Sequence, residues 1–294
     1  MKRIAMLFLV ALTGVGCAAQ LQPDRELKVL ISVDMEGIAG VVTGEEVRRS
    51  GQDYELFRRI MTQETNAAVE GALAAGATEI VVRDAHGSAR NILPDMLHPQ
   101  AKLLRDWTGG ALGMMEGIDE TFGAVVFVGY HAKPGTPDAI LQHTMSGVVE
   151  DISINGISMP ESGINALIAG HYGVPVVFVA GDQACIDEVR ELFGDIETVS
   201  VKQGIGHPRS AVLSLHPDES SRLIRAGVER AVRARHEYQP YHLEAPFTMV
   251  LKLRNQDLVD AGESYPGVTR TGERELTYTS DQIMDVIEAF TRLR

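Results

Sequence analysis

The sequence predicts an α/β fold: a mixed, largely parallel sheet covered by helices, with a smaller C-terminal α+β portion. Short apolar, β-branched runs alternate with longer segments of helical periodicity, the pattern of strands joined by helical crossovers. The runs are too apolar for half-exposed strands, as in LKVLISV (residues 27–33) and AVVFV (124–128). Composition agrees: 45% hydrophobic residues, only 5% aromatic, and 29 glycines suit tightly packed α/β layers better than an all-β sandwich.

Residues 1–19 read as an export signal, with Lys2 and Arg3 before an apolar segment too short to span a bilayer. Gly14-Val15-Gly16-Cys17 resembles a lipobox with glycine where leucine is usual, so Cys17 is a candidate lipidation site. Ordinary cleavage after Cys17-Ala18-Ala19 is the alternative. Either outcome locates the protein in an envelope compartment such as the periplasm, lipid-anchored in the first case. Residues 20–26 read as a linker.

Leu27–Val33 is the first strand. Tyr54–Ala75 follows as a long helix, with Leu56, Ile60 and Met61 on one face and Gly76 as its stop. Glu79–Val82 and Ala124–Val128 are strands. Asn155-Gly156 marks a hairpin within Val149–Met159. Pro160 precedes a helix over Glu161–Tyr172. Val176–Ala180 is a buried strand, Ile186–Phe193 a helix, Thr198–Val201 a strand and Pro217–Tyr238 a long helix. Beyond His242 the pattern changes to a strand over Phe247–Leu253, polar loops and a final helix from Ser280. These elements divide into a catalytic α/β domain over 27–215 and a C-terminal region over 216–294.

The net charge of −13, with no basic stripe, excludes nucleic acid and anionic membrane surfaces as partners. Cys17 and Cys185 are the only cysteines, so no disulfide framework exists.

Chemistry-bearing residues gather where strands end. The first strand runs into Asp34-Met35-Glu36, the second into Asp84-Ala85-His86, the third into Tyr130-His131. His143 follows in QHTMSG, and Glu161 opens a helix. In open α/β sheets such strand ends line one crevice. Alternate strand residues share a face, so Asp34 and Glu36 point the same way if strand geometry persists through Met35. Carboxylates with imidazoles are the ligand set of hydrolytic zinc, and a zinc pair polarises a carbonyl and activates water. Each residue also has a plain explanation. Asp34 and Glu36 suit a loop or helix cap. Asp84 suits an Asx-turn or a supporting role behind a ligand. Glu161 suits the positive end of a helix dipole. His86 and His131 suit hydrogen-bonded structural histidines, and His98, His171, His207 and His242 read as surface or structural residues.

SVDMEGIAG, RDAHGSARN, LHPQAKL, MMEGID, VGYHAKPGTPDAILQHTMSG, INGISMPESGINALIAGHYGVPVVFVAGD and VKQGIGHPRSA together resemble the DppA-type zinc D-aminopeptidase family, over about residues 28–215. The resemblance implies two zinc ions per subunit: Asp34 bridging, Glu36 and His86 completing one, His131 and Glu161 the other. It implies His143 as nucleophile or general base, and Lys202 as a substrate or oxyanion contact. It implies release of an N-terminal D-amino acid, such as D-alanine, from short peptides. It further implies a ring-shaped homo-oligomer, a decamer, with active sites facing an inner chamber. The export signal departs from the family's cytoplasmic character. Two other functions share some of these residues: a two-metal phosphoesterase, and an envelope lipoprotein that binds metal or peptide without turnover.

Overall fold

The computed structural model describes residues 26–206 and 211–294. The export segment with Cys17, nearly all of the 20–26 linker, and His207 lie outside the described residues. The first half runs β1 (Lys28–Val33), α1 (Gly44–Val47), α2 (Tyr54–Ala74), β2 (Glu79–Asp84), β3 (Ala101–Leu104), β4 (Phe122–Tyr130), β5 (Val149–Ile154), β6 (Ile157–Ser158) and α3 (Glu161–His171). The second runs β7 (Val176–Asp182), α4 (Gln183–Phe193), β8 (Glu197–Ile205), β9 (Ala211–Ser214), α5 (Pro217–Arg233), β10 (Phe247–Leu253), α6 (Gln256–Gly262), β11 (Thr269–Gly272), β12 (Glu275–Ser280) and α7 (Ile283–Leu293).

The main sheet has seven strands in the order β3-β2-β1-β4-β7-β8-β9. Its pairs are parallel except β8 with β9. From β1 the chain winds outward through β2 to β3; from β4 it winds the other way through β7 to β8. The strand order therefore reverses between β1 and β4. A crevice opens beyond their carboxyl ends, the place where such sheets bind ligands.

Alternation in β1 explains why both faces of this sheet are covered. Val29, Ile31 and Val33 enter a core with Ala68, Ala72, Ile224 and Val228, from the helices α2 and α5. Leu30 faces the opposite core, with Leu167 and Ile168 of α3, Ile152 of β5, Met249 and Leu251 of β10, and Phe290 of α7. Ser32, on that second face, bonds the Met114 carbonyl at 2.9 Å and the Tyr130 hydroxyl at 2.8 Å. Asn165 Nδ2 donates to the same hydroxyl at 3.0 Å, so a buried polar knot ties β1, β4 and α3 together.

The smaller sheet is antiparallel, in the order β11-β12-β10-β5-β6. It takes β5 and β6 from before residue 216 and its other strands from after it, while α5 covers the main sheet. The hairpin at Asn155-Gly156 forms as expected, with φ of 52° and 80° at the two turn residues. The final helix starts at Ile283 rather than Ser280, because Glu275–Ser280 pair along β10, from Phe247↔Ser280 to Lys252↔Glu275. Likewise α4 starts at Gln183, where the Asp182 side chain caps it by accepting from the Cys185 N–H at 2.8 Å.

A buried carboxyl also breaks the apolar pattern. Glu64 of α2 is fully buried, accepting from the Ala39 N–H at 3.2 Å and from the Ser220 hydroxyl of α5. Burial pushes its pKa from 4.5 up to about 7, against the pull of those two bonds and of Lys202. Folded protein thus holds a proton that unfolded chain releases, so stability falls as pH rises from 4.5 towards 7. Glu64→Gln keeps the acceptor oxygen and removes the titration. Its unfolding free energy should match wild type near pH 5 and exceed it by pH 8, by about 3 kcal/mol at most. A gap that stays constant, or closes, across that range would refute the assignment.

Candidate metal centre

The crevice at the strand reversal is where the singled-out residues meet. β1 stops at Val33, and its chain turns through Asp34, Met35 and Glu36 instead of continuing as a strand. Both carboxylates still face one way: Asp34 Oδ1 and Glu36 Oε2 lie 3.2 and 2.9 Å from His86 Nδ1. The glycines beside them are dictated by backbone approach. The Gly37 N–H donates to the Gly129 carbonyl at 2.8 Å. A Cβ on Gly37 would stand 1.9 Å from the Tyr130 carbonyl oxygen, and one on Gly129, whose φ is +73°, 2.2 Å from that of Asp34. Only glycine lets the ends of β1 and β4 close together, bringing His131 beside Asp34.

His131 Nε2 lies 3.4 Å from Asp34 Oδ2 and 3.5 Å from Glu161 Oε1. His143 stacks on His131 with ring centroids 4.2 Å apart, its Nε2 also 3.5 Å from Glu161 Oε1. Glu161, in the first turn of α3, is fixed by the Met145 N–H at 2.6 Å. The cluster is thus a chain: His86, then Glu36 with Asp34, then His131, then Glu161, then His143. Asp34 stands in the middle with one oxygen towards each of two imidazoles. Asp34, Glu36, His131 and Glu161 are buried, and His143 is the most open, its side chain 27% exposed.

All three imidazoles are oriented alike. Each sets one ring nitrogen against a backbone carbonyl: His86 Nε2 on Val47 at 2.8 Å, His131 Nδ1 on Ala132 at 3.0 Å, His143 Nδ1 on Leu141 at 2.8 Å. A carbonyl only accepts, so that nitrogen carries a proton and the other ring nitrogen faces the carboxylates. There it carries a proton of its own or gives its lone pair to a cation. Glu36 Oε2 and His131 Nε2, both buried, make no hydrogen bond among the described residues. Donors about 2.0–2.1 Å from a tetrahedral zinc stand about 3.3 Å apart, close to the separations found here. Two overlapping triads have ligand atoms within 4.8 Å of one another: Asp34, Glu36 and His131, and His131, His143 and Glu161.

The electrostatics agree. Burial alone would lower the imidazole pKa values, yet Glu36 and Asp34 hold His86 well above its usual range, as Glu161 and Asp34 do His131. Burial, then the charge of Glu36, raises Asp34. Glu36 and Glu161 are held low against burial, chiefly by His86 and His131 respectively. So dense a set of carboxylates draws in positive charge, and a divalent cation would release the imidazole protons as it bound.

Asp84 and Lys202 belong to the support. Asp84 accepts from the Asn91 and Ile92 N–H groups at 2.6 and 2.7 Å and from Asn91 Nδ2 at 2.8 Å. Asn91 in turn bonds the His86 carbonyl at 2.6 Å, which fixes the His86 loop. The buried Lys202 ammonium donates to the carbonyls of Glu36 and, at 2.7 Å, Val41, pinning the turn after β1. Burial brings its pKa down to about 8 against the neighbouring carboxylates Asp182, Glu64, Glu36 and Glu46. Sequence reasoning missed other groups at the site. Trp107 lines the cavity, held over Arg83 by a 4.2 Å cation–π contact, while Arg83 pairs with Glu116 at 2.8 Å. Leu141 and Met145, flanking His143, have φ of +54° and +61°; such strain gathers at functional sites. The cavity over the cluster, about 480 Å³, is also lined by Gly109, Gly110, Met114, Ser146, Thr291 and Arg294.

A parallel sheet that converges carboxylates and oriented imidazoles at its switch point defines the class of metal-dependent hydrolases. The D-aminopeptidase family profile matches residues 27–292, and the chain belongs to that family, within the peptidases. A D-aminopeptidase of Bacillus subtilis (strain 168) is 35% identical over 269 residues, covering 90% of this chain and 94% of its own length. A solved structure described as the Zn-dependent D-aminopeptidase DppA from Bacillus subtilis, a self-compartmentalizing protease, superposes with a TM-score of 0.86. It is 32% identical, with 91% of this chain and 96% of the other covered.

Proposed function

We propose that this chain is a zinc-dependent aminopeptidase that removes N-terminal D-amino acids such as D-alanine from short peptides, using two metal ions. The carrying observation is the position of Asp34: Oδ1 is 3.2 Å from His86 Nδ1 and Oδ2 is 3.4 Å from His131 Nε2, with a second carboxylate, Glu36 or Glu161, beside each imidazole. A carboxylate shared in this way supports two adjacent cation sites. Asp34, Glu36 and His86 would hold one ion; Asp34, His131 and Glu161 the other. When bound, a zinc pair supplies Lewis-acid polarisation of the scissile carbonyl and of water.

The chain's own residues do the rest. His143 Nε2, left as a base by the Nδ1–H bond to Leu141, is open to the cavity and moves the proton from attacking water to the leaving amine. Trp107, Met114 and Met145 give the cavity apolar walls beside the reacting centre. A cavity of about 480 Å³ fits a di- or tripeptide and no folded protein. The reading includes self-association into a chambered ring, a decamer by resemblance to its family. Leu213, 60% exposed, and Ile205, 54% exposed, offer apolar contact at the β8–β9 edge. It also includes export to the cell envelope with a lipid on Cys17, on the strength of the 1–19 segment.

The test is a hydrolysis screen of D-Ala and L-Ala di- and tripeptides with a phosphodiester as control, before and after chelation and with zinc add-back. D-peptide cleavage that disappears with chelator and returns with zinc is expected. Cleavage of the phosphodiester alone, or unchanged peptide cleavage in chelator, would overturn the reading.

A further inference from the structure

The cavity over the cluster contains one cation that nothing in the proposed chemistry uses. Arg294 directly follows α7, whose Val286, Ile287, Phe290 and Leu293 are buried in the core beneath the small sheet. That packing fixes the end of the helix beside the site. Although the residue as a whole is exposed, its side chain lines the same cavity as Asp34, Glu36, His86, His143 and Glu161. The guanidinium sits 5.4 Å from the centre of the Phe290 ring and has no hydrogen bond or ion pair among the described residues. Burial pushes its pKa down, and Glu161 is the charge that offsets this.

We propose that Arg294 is the carboxylate anchor of the substrate site: it binds the C-terminal carboxylate of a short peptide whose N-terminal residue lies at the cluster. This rests on the aminopeptidase reading above. Glu161 is committed to His131, His143 and the Met145 N–H, so it does not pair with the arginine. A guanidinium with five donors and no acceptor, at the wall of this cavity and without a protein partner among the described residues, is free to take an incoming anion. A peptide held by its free amine and scissile carbonyl has one invariant anion, its terminal carboxylate. In a dipeptide this lies one residue, about 3.5 Å of chain, beyond the scissile bond. A two-bond guanidinium–carboxylate contact would therefore select peptides by length.

The experiment compares D-alanyl-D-alanine with its uncharged C-terminal amide, in zinc-loaded wild type, Arg294→Gln and Arg294→Lys. Wild type should favour the carboxylate. Arg294→Gln should lose about 10- to 100-fold in kcat/KM on D-alanyl-D-alanine. It should stay within about two-fold on the amide, the fold-change below which no charge-assisted bond is in question. Arg294→Lys should recover part of the loss. Calorimetric titration of the same two peptides into His143→Ala, with and without Arg294→Gln, reads the preference without turnover. A preference unchanged by Arg294→Gln, or equal losses on acid and amide, would overturn the proposal. If wild type cleaves neither peptide, the aminopeptidase reading fails by itself. The titration then decides the arginine: a carboxylate preference abolished by Arg294→Gln upholds it, and no preference rejects it.

Discussion

His143→Ala should lower kcat by about 10²–10⁴-fold, the usual contribution of a positioned acid–base group, and leave zinc content at the wild-type level. The pairing of these results matters. His143 Nε2 lies within reach of Glu161 and its ring stacks on His131, so donor geometry alone admits it to a metal triad. Its 27% side-chain exposure separates it from the buried His131, and its loop holds it at the cavity wall. A base that serves substrate can be removed without releasing metal; a ligand cannot. Metal analysis beside steady-state kinetics checks this. Wild-type turnover in the variant removes His143 from the chemistry, whereas lost turnover with lost zinc makes it a ligand.

Asp34→Asn should have the larger effect. It conserves shape and the Oδ1 atom that accepts from the Met35 N–H at 2.8 Å, so the turn after β1 survives. What goes is the charge at the middle of the cluster, on the carboxylate that faces both His86 and His131. We expect zinc to fall well below the wild-type content after dialysis. Activity should drop by roughly 10³-fold or more, the worth of several kcal/mol of Lewis-acid stabilisation. Stability should move the opposite way. Burial and the charge of Glu36 already disfavour the Asp34 anion, so metal-free Asp34→Asn should melt at or above metal-free wild type. Zinc should raise the melting temperature of wild type and leave the variant nearly unmoved. Equal zinc-induced shifts in the two proteins would show that Asp34 does not serve the metal.

The inner strands β1, β2, β4 and β7 of the main sheet were legible because they are buried and written as near-continuous apolar runs, whereas its edge strands β3 and β9, four residues each and partly exposed, carry no such run and were missed. The site was legible because each run ends in groups that a buried strand has no reason to carry. The small sheet was harder to read. β11 has four residues, three of them exposed, and β12 alternates too briefly to outweigh the helical pattern that follows it. Its place is set by pairing with β10, a contact between distant segments that no local pattern records. The same limit applied within the site. The register of Asp34 and Glu36 followed from sequence, yet their common direction comes from a turn closed by Gly37 against Gly129. Lys202 was singled out, but that its ammonium is taken up by two backbone carbonyls depends on how β8 lies relative to the turn after β1. Arg294 carried no signal at all: an arginine after an amphipathic helix is ordinary until α7 packs and turns it towards the cluster.

The most direct measurement is diffraction from zinc-loaded crystals at wavelengths either side of the zinc absorption edge. Two anomalous peaks are expected, sharing Asp34 between them. One should fall about 2.0–2.2 Å from donors of Glu36 and His86, the other as close to His131 and Glu161. A map with no peak among these five side chains would contradict the metal centre, and with it the peptidase chemistry built upon it.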